Sequence, residues 1–279
     1  MNPQYPIYII SKGRAESRLT SKALERYGVP YHIVVEPQEY DEYAKYIDPS
    51  KIYTLPFSNL NKGSIPARNW CWDHAQSLGV KRYWLMDDNI RDFGRYNHNM
   101  INRVTSGTVL KLMEDWTDRY DNLAITGPQY DYFIVEKNHR YRPVAINQRV
   151  YSCSLILTDA PFRWRGRYNE DTDLCLRMMK AGWGTALFYA FIQYKQTTLT
   201  MKGGNTDNVY IDGDGRWKFA KALQLQHPNH TEIVERYGRW HHYVDYRAFI
   251  NNDPKLKKDI NVPKGVNNHG LILKRYEVQ

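Results

Sequence analysis

The chain has 279 residues, which suits one large domain or two small ones, and its composition is that of an ordinary globular protein. The net charge of +9 favours a polyanionic partner such as nucleic acid, a nucleotide or acidic lipid, and it does not choose among them. Three dispersed cysteines argue against a disulfide framework, and no stretch resembles a secretory signal or a membrane span, so we expect a cytoplasmic protein without membrane insertion.

The chain opens with a predicted βαβ unit, which implies a parallel sheet with right-handed crossovers. Apolar runs at 5–10 and 31–35 predict strands, and the segment 14–27 between them has helical character. Gly28 and Pro30 end that helix, because neither residue readily continues one.

Polar residues follow both of these strands. Ser11, Lys12 and Arg14 come directly after the first, and Glu36 follows the second. A hydroxyl and two cations before a helix are suited to bind an anion. The loop also fits a solvated basic turn, because it lacks the glycine spacing of a phosphate-binding loop or a dinucleotide fingerprint. The carboxylate of Glu36 is placed to accept hydrogen bonds from a ribose or a base.

A further helix is predicted from Ser64, a favourable N-cap, to about Leu78, with Gly79 ending it. Its early residues Arg68 and Asn69 could face the same edge of the sheet as the polar strand ends. Arg68 fits an ordinary surface cation as well, since the residue type alone does not decide between the two interpretations.

The apolar run Tyr83–Met86 leads straight into Asp87, Asp88 and Asn89. The run predicts a buried strand, and ligands of open α/β sheets bind beyond the carboxyl ends of such strands. Burying adjacent carboxylates is costly unless a cation or hydrogen bonds compensate them, and a hard divalent cation takes oxygen ligands readily. The triplet predicts a metal site that holds a phosphate-bearing substrate. The alternative is a plain acidic turn.

A second acidic cluster opens another predicted helix at Glu170 and Asp171, which Gly182 ends. Acidic residues in a first turn stabilise the helix dipole, which explains the cluster without any function. In the functional interpretation one carboxylate projects into the cleft as a general base. The other predicted elements are a polar loop at 91–102, a helix at 106–120, and strands at 123–126, 149–157 and 185–192.

The pattern changes after residue 193, where strands give way to loops and helices. The sequence predicts glycine-rich loops at 202–205 and 212–215 and helices at 217–226 and 231–237. We therefore expect an α/β domain over residues 1–200 and a C-terminal helical extension, residues 201–279, packed on it.

Together these features resemble a nucleotide-sugar glycosyltransferase with the GT-A fold, over roughly residues 5 to 192. The matching parts, in the family's order, are Ser11–Arg14, Glu36, Ala67-Arg68-Asn69, a DxD-like Asp87-Asp88-Asn89 and an xED-like Asn169-Glu170-Asp171. The resemblance implies a Rossmann-type mixed, mostly parallel sheet flanked by helices. More closely, segments 8–14 and 84–89 resemble the TET-associated glycosyltransferase family of bacteriophages, which is linked to sugar addition on 5-hydroxymethyl pyrimidines in DNA. A phage-encoded member would act in the host cytoplasm.

The resemblance also implies roles for residues of the donor site. Asp87 would contact the ribose of a UDP-sugar, while Asp88 and Asn89 would serve a Mn²⁺ or Mg²⁺ ion that bridges the diphosphate. Asn89 stands where an Asp is common, and a neutral ligand weakens cation binding. His227 is the candidate for the late histidine that completes the metal shell in this fold. The remaining donor-site residues would be Ser11, Lys12, Arg14, Glu36 near the uridine, Arg68 and Asn69.

The implied reaction moves the sugar to an acceptor hydroxyl, with Asp171 as general base and Glu170 as its neighbour or substitute. If the acceptor is DNA, the arginines just before this base are candidate phosphate contacts. These are Arg163, Arg165 and Arg167, which also fit a solvated loop. Two alternatives stay open: a glycosyltransferase that acts on a surface polysaccharide or a lipid-linked sugar, and a non-catalytic nucleic-acid-binding protein. The oligomeric state and the stereochemistry are left open.

Overall fold

One mixed sheet organises the residues that the computed structural model describes, which are 1–97, 99–135, 141–196 and 215–260. Its strands are β1 (Ile7–Ile10), β2 (His32–Val35), β3 (Ile52–Thr54), β4 (Arg82–Asp87), β5 (Ile90–Asn97), β6 (Met100–Arg103), β7 (Leu123–Tyr130), β8 (Val144–Ile146), β9 (Cys153–Leu157) and β10 (Gly184–Lys195). The strand order is β3-β2-β1-β4-β9-β7-β10-β5-β6, with β8 paired to β10. The half from β3 to β4 is parallel, and β9 then enters antiparallel to both β4 and β7.

Helices cover both faces of this sheet. They are α1 (Leu19–Arg26), α2 (Tyr40–Ala44), α3 (Ile65–Ser77), α4 (Thr108–Thr117), α5 (Glu170–Lys180) and α6 (Gly215–Gln226). Successive side chains of a strand point to opposite faces, and β4 divides its residues in this way. Leu85 packs in one core with α3 and α5, whereas Trp84 packs in a second core with α1 and α4. The predicted mixed α/β sheet flanked by helices is confirmed.

The sheet topology brings several strand ends to one edge. In the parallel half, Ile10 lies beside Val34 on one side and Asp87 on the other, so β1, β2 and β4 end together. Strand β9 runs the opposite way and begins at this edge, whereas β7 and β10 run parallel to β4 and end there. The polar residues that follow or end these strands are therefore gathered along one edge.

The segment 91–102, which we predicted as a loop, is instead most of the hairpin β5–β6, and β5 extends the main sheet beside β10. Ile90 and Phe93 are buried, while Arg91 and Arg95 are exposed. The polar residues of an edge hairpin face the solvent, so a high polar content does not distinguish such a hairpin from a loop.

The predicted helix at 231–237 is wrong as well, because this segment forms strand β11 (Thr231–Arg236) of a hairpin with β12 (Arg239–Val244). Tyr237 and Gly238 form its two-residue turn with φ values of 54° and 66°. Two consecutive positive φ angles match the twist of a tight hairpin. The β-branched Ile233 and Val234 also favour a strand over a helix.

The predicted helix at 217–226 is confirmed within α6. Leu223 of α6, Val244 of β12 and Phe249 of the following short 3₁₀ helix are buried in the same core as α3 and α5. None of the helices in the described ranges has the length and apolar character that crossing a bilayer requires. The predicted loop at 202–205, most of the loop at 212–215, the boundary at residue 200 and the tail beyond residue 260 lie outside the described residues.

Candidate active site

Asp87, the last residue of β4, is held by two cations. Its Oδ1 accepts a hydrogen bond from Arg68 Nη2 at 3.0 Å, and its Oδ2 accepts one from Lys195 Nζ at 2.8 Å. Burial raises the pKa of this carboxyl, but Lys195 and Arg68 lower it more, so the net pKa lies well below its ordinary value. Asp87 is therefore ionised and fixed in position.

Asp88 makes a separate set of contacts with the loop after β1. Its Oδ1 accepts a hydrogen bond from Arg14 Nη1 at 2.6 Å, and its Oδ2 accepts one from Ser11 Oγ at 2.6 Å. Burial raises the pKa of Asp88, and Arg14 with Ser11 offsets only part of that shift. The structure thus brings the predicted anion loop and the acidic triplet together.

Arg68 connects this cluster to the second acidic cluster. The side chain is buried, and its Nε donates a hydrogen bond to Ser64 Oγ at 3.1 Å. Its Cζ lies 4.6 Å from the centroid of the Trp164 ring. Its guanidinium nitrogens lie 3.8 Å from Glu170 Oε1 and 3.8 Å from Asp171 Oδ1. Burial lowers the pKa of Arg68, but Asp171, Asp87 and Glu170 raise it more. Arg68 is therefore a buried counterion for both acidic clusters, and the alternative that it is an ordinary surface cation is wrong.

Asp171 has the properties of a proton acceptor. It lies in the first turn of α5, and its Oδ1 is buried and accepts no hydrogen bond from the described residues. Burial, with help from Glu170 and Asp87, outweighs Arg68 and raises the pKa of Asp171 to about 7. A carboxyl with such a pKa exchanges a proton readily near neutral pH, which is the property that a general base needs.

Lys195 belongs to this site, although we did not predict it from the sequence. It ends β10, and its ammonium donates to Asp87 Oδ2 at 2.8 Å and to Ser152 Oγ at 2.6 Å. Burial lowers the pKa of Lys195, but the Asp87 carboxylate raises it more, so the ammonium stays charged. The strand predicted from the sequence ends at residue 192, three residues before this lysine. Following it through residue 195 would have placed a lysine at the functional edge.

Lys12 and Glu36 form a neighbouring polar pair at the same edge. Lys12 Nζ donates to Glu36 Oε2 at 2.8 Å, and the backbone nitrogen of Asn59 donates to the same oxygen at 3.0 Å. Burial raises the pKa of Glu36, but Lys12 and Asn59 lower it more, so its net pKa is below the ordinary value. Glu36 therefore presents an ionised carboxylate beyond the end of β2.

Asn69 does not face this cluster as we predicted. Its side-chain Nδ2 donates to the carbonyl oxygen of Trp164 at 3.0 Å, and its Oδ1 accepts from the Trp164 backbone nitrogen at 2.9 Å. This double contact fixes the loop before α5, and it holds the Trp164 ring against Arg68. Asn69 therefore positions other residues of the site.

His227 lies in a different cluster, centred on Asp173. Its Nε2 donates to Asp173 Oδ1 at 2.8 Å, and its Nδ1 accepts from Lys180 Nζ at 2.9 Å. Because both ring nitrogens are engaged, His227 offers none to a metal ion and is not a metal ligand in this arrangement. Arg165 and Arg177 bind the same carboxylate, so Arg165 is part of this structural network as well.

The other two arginines of the loop before α5 differ from each other. Arg163 donates to Asp73 Oδ1 at 3.2 Å and to Gln76 Oε1 at 2.8 Å, and its guanidinium lies over the ring of Trp72. Arg167 is exposed and lies over the ring of Tyr168 at 5.6 Å. Arg165 is exposed as well, but its guanidinium pairs with Asp173, so Arg167 is the exposed arginine of the three that forms no ion pair with the described carboxylates.

A divalent cation, which the resemblance implies, does not fit the triplet as its side chains are arranged. Both oxygens of Asp87 and both oxygens of Asp88 already accept hydrogen bonds from protein groups. Asn89 Oδ1 is buried without a partner among the described residues, but it is a single neutral oxygen. Among all the residues that the structure describes, no group of three acidic, histidine or cysteine side chains is arranged to hold a metal ion.

Comparison with known proteins gives two similarities. The model of the TET-associated glycosyltransferase family matches residues 5–204. A crystal structure from Desulfovibrio desulfuricans G20, described as a candidate nucleotide-diphospho-sugar transferase, is 11% identical and covers 80% of this chain and 96% of its own, with a TM-score of 0.42. No curated protein sequence matches the chain. Since the family model covers most of the chain, the protein belongs to the TET-associated glycosyltransferase family and is a glycosyltransferase.

Proposed function

We propose that this protein transfers a sugar from a UDP-sugar to the hydroxymethyl group of a pyrimidine in DNA, with 5-hydroxymethylcytosine as the first acceptor to test. The observation that carries the proposal is the position of Arg68, which contacts Asp87 on one side and Asp171 on the other. One buried guanidinium thus joins the predicted nucleotide site to a carboxyl that can take up a proton.

In the proposed reaction the acceptor hydroxyl oxygen attacks the anomeric carbon, while the bond from that carbon to the diphosphate oxygen breaks. The hydroxyl proton passes to Asp171, and the electron pair of the broken bond leaves with UDP. With a pKa of about 7, a substantial fraction of Asp171 is ionised near neutral pH and ready to accept that proton. A direct displacement with this single base inverts the anomeric carbon.

The donor would occupy the sheet edge beside Asp87. Ser11 and Arg14 follow β1 there, and Lys12 with Glu36 forms the adjacent polar pair. Parallel strand ends of this kind are the usual position for ligands in open α/β sheets. These contacts support the prediction that uridine lies near Glu36 and that the diphosphate lies near the cations of the edge.

The loop that leads into α5 supports DNA as the acceptor. Exposed Arg167 lies over Tyr168, and the ring of Tyr168 stacks on Phe219 of α6 with 3.8 Å between the ring centroids. Asn169 Nδ2 donates to the Phe219 carbonyl oxygen at 2.9 Å, so the C-terminal extension buttresses the residue before Glu170. The Arg167 cation and the Tyr168 ring lie close in sequence to Asp171, the proposed general base. Such a pair is suited to hold a nucleotide of the acceptor near the active site.

The hairpin β11–β12 gives independent support for a nucleic-acid acceptor. Its tip residue Tyr237 is 96% exposed and has a left-handed backbone, which is uncommon for a bulky residue. Arg236 and Arg239 pair directly across the strands at this tip. In the middle of β12, His242 Nε2 accepts a hydrogen bond from Arg149 at 3.2 Å. An exposed aromatic ring in a turn that is flanked by an arginine on each strand suits base stacking and phosphate contact.

Release of UDP from a panel of UDP-sugars tests the proposal. We expect hydroxymethylated DNA to stimulate release, whereas unmodified DNA of the same sequence should not, because it lacks the attacking hydroxyl. Stimulation by a polysaccharide in place of DNA would favour the first alternative acceptor. Binding of DNA without turnover of any donor would favour a non-catalytic nucleic-acid-binding protein.

A further inference from the structure

We propose that Lys195 supplies the positive charge that a divalent cation would otherwise bring to the donor diphosphate, so that donor binding needs no metal ion. The inference rests on the proposed function, because it names the group that receives the diphosphate of the same donor. It concerns a residue that neither the sequence patterns nor the family match assigned to the site.

The first observation is that protein groups already compensate the acidic triplet. Arg68 and Lys195 each donate a hydrogen bond to one oxygen of Asp87. Arg14 and Ser11 do the same for the two oxygens of Asp88. Three cations and one hydroxyl therefore perform the compensation that buried adjacent carboxylates require. A metal ion that bound a remaining lone pair of these oxygens would lie close to at least one of the three protein cations and would be repelled by it.

The second observation is that Lys195 has donor capacity left. An ammonium group carries three N–H donors. Asp87 Oδ2 and Ser152 Oγ accept two of them, at 2.8 and 2.6 Å, among the residues that the structure describes. The third N–H is suited to a phosphate oxygen, because an oxyanion is the acceptor that a charged donor binds most strongly.

The third observation is that Lys195 is held in place before any ligand arrives. Its side chain is 15% exposed, whereas that of Lys12 at the rim of the site is 48% exposed. The end of β10 fixes its backbone, and Asp87 with Ser152 fixes its ammonium. Asp171 and Asp87 face it with negative charge, and Arg68 faces it with positive charge. A preorganised buried cation stabilises a developing negative charge without reorganisation.

Calorimetric titration of UDP into the full-length protein tests the inference without any acceptor. We expect the same Kd, within about twofold, in EDTA and in Mn²⁺, because the protein supplies the charge. Lys195→Ala should weaken UDP binding at least about tenfold in both buffers, and Lys195→Arg should recover part of it. The control is Lys81→Ala, which removes a comparable Lys–Asp pair, with Asp118 at 3.0 Å, from the opposite end of β4. Thermal denaturation of each variant separates loss of folding from loss of binding.

The outcomes distinguish failure of this inference from failure of the proposed donor. UDP binding by the wild-type protein that is lost in EDTA and regained with Mn²⁺ would overturn this inference and leave the proposed function intact. Lys195→Ala that folds and binds UDP like the wild type would overturn it as well. Absence of UDP binding in both buffers would overturn the inference together with the proposed donor. Equal binding in both buffers with loss only in Lys195→Ala supports it.

Discussion

Asp171 is the residue on which the proposed chemistry depends. Replacing it by Asn keeps its shape and removes its basicity, so we expect transfer to fall by about 10²- to 10⁴-fold, the usual contribution of a general base. UDP affinity should stay close to that of the wild type, because the donor contacts lie on the other side of Arg68. Initial rates of sugar transfer and calorimetric UDP binding give the two readouts. Wild-type turnover in Asp171→Asn would contradict the assignment.

The pH dependence of the reaction follows from the same residue. Burial holds the pKa of Asp171 at about 7, and the ionised form is the base, so kcat/KM should rise through pH 7 and level off above it. Stability should change in the opposite direction. Because folding raises this pKa, the folded state binds the proton more tightly, and its stability falls as the pH rises from the unfolded-state value towards 7. Asp171→Asn should lose both dependences.

The sequence identified most residues of the candidate site but not their partners. Asp87 and Asp88 were recognisable because an apolar strand leads into them, and Arg14 because it follows a parallel neighbour of that strand. Lys195 could not be placed with Asp87, since their contact depends on β9 and β7 lying between β4 and β10 in the sheet. His227 was misplaced because a lone histidine gives no sign of its partner, which is Asp173 here.

At the scale of elements, helix α5 is anchored by Asp173, whose buried carboxylate binds Arg165, Arg177 and His227. Burial raises the pKa of Asp173, but His227 and Arg165 lower it more, to about 2. The contribution of the Asp173 carboxylate to folding stability is therefore complete above the pKa that Asp173 has in the unfolded state. It is lost as the pH falls towards 2.

We expect Asp173→Ala to lower the free energy of unfolding by about 3–5 kcal/mol at pH 7, because it leaves buried partners unpaired. Urea denaturation measures this loss. Asp73→Ala, which removes the ion pair of an exposed Asp with Arg163, is the matched control and should cost less than about 1 kcal/mol. Equal losses in the two variants would contradict the anchoring role of Asp173.

The hairpin β11–β12 is the element we expect to contact DNA. Reversing both tip charges with Arg236→Glu and Arg239→Glu should weaken DNA binding and reduce the slope of log K against log salt by about 0.9 for each phosphate that the hairpin no longer neutralises. UDP binding should not change. The control reverses two exposed cations elsewhere, with Lys22→Glu and Lys45→Glu. An unchanged salt slope in the hairpin variant would exclude the tip from the DNA interface.

At the scale of the whole molecule, local patterns predicted one half of the sheet better than the other. The parallel strands β1, β2 and β4 follow from apolar runs that alternate with helices, and they were correctly expected to end at one edge. The insertion of β9 between β4 and β7 is a pairing between distant segments, which no local pattern records. The hairpins β5–β6 and β11–β12 were missed because a polar edge strand resembles a loop or a surface helix.

The most direct test of the central claim is mass spectrometry of nucleosides from DNA treated with the protein and a panel of UDP-sugars. With DNA that contains 5-hydroxymethylcytosine, we predict a new nucleoside heavier by one sugar residue in the wild-type reaction. We predict that it is absent from the Asp171→Asn reaction and from unmodified DNA. Hydroxymethyl nucleosides that stay unmodified, while the wild-type protein consumes a UDP-sugar on another acceptor, would contradict the account.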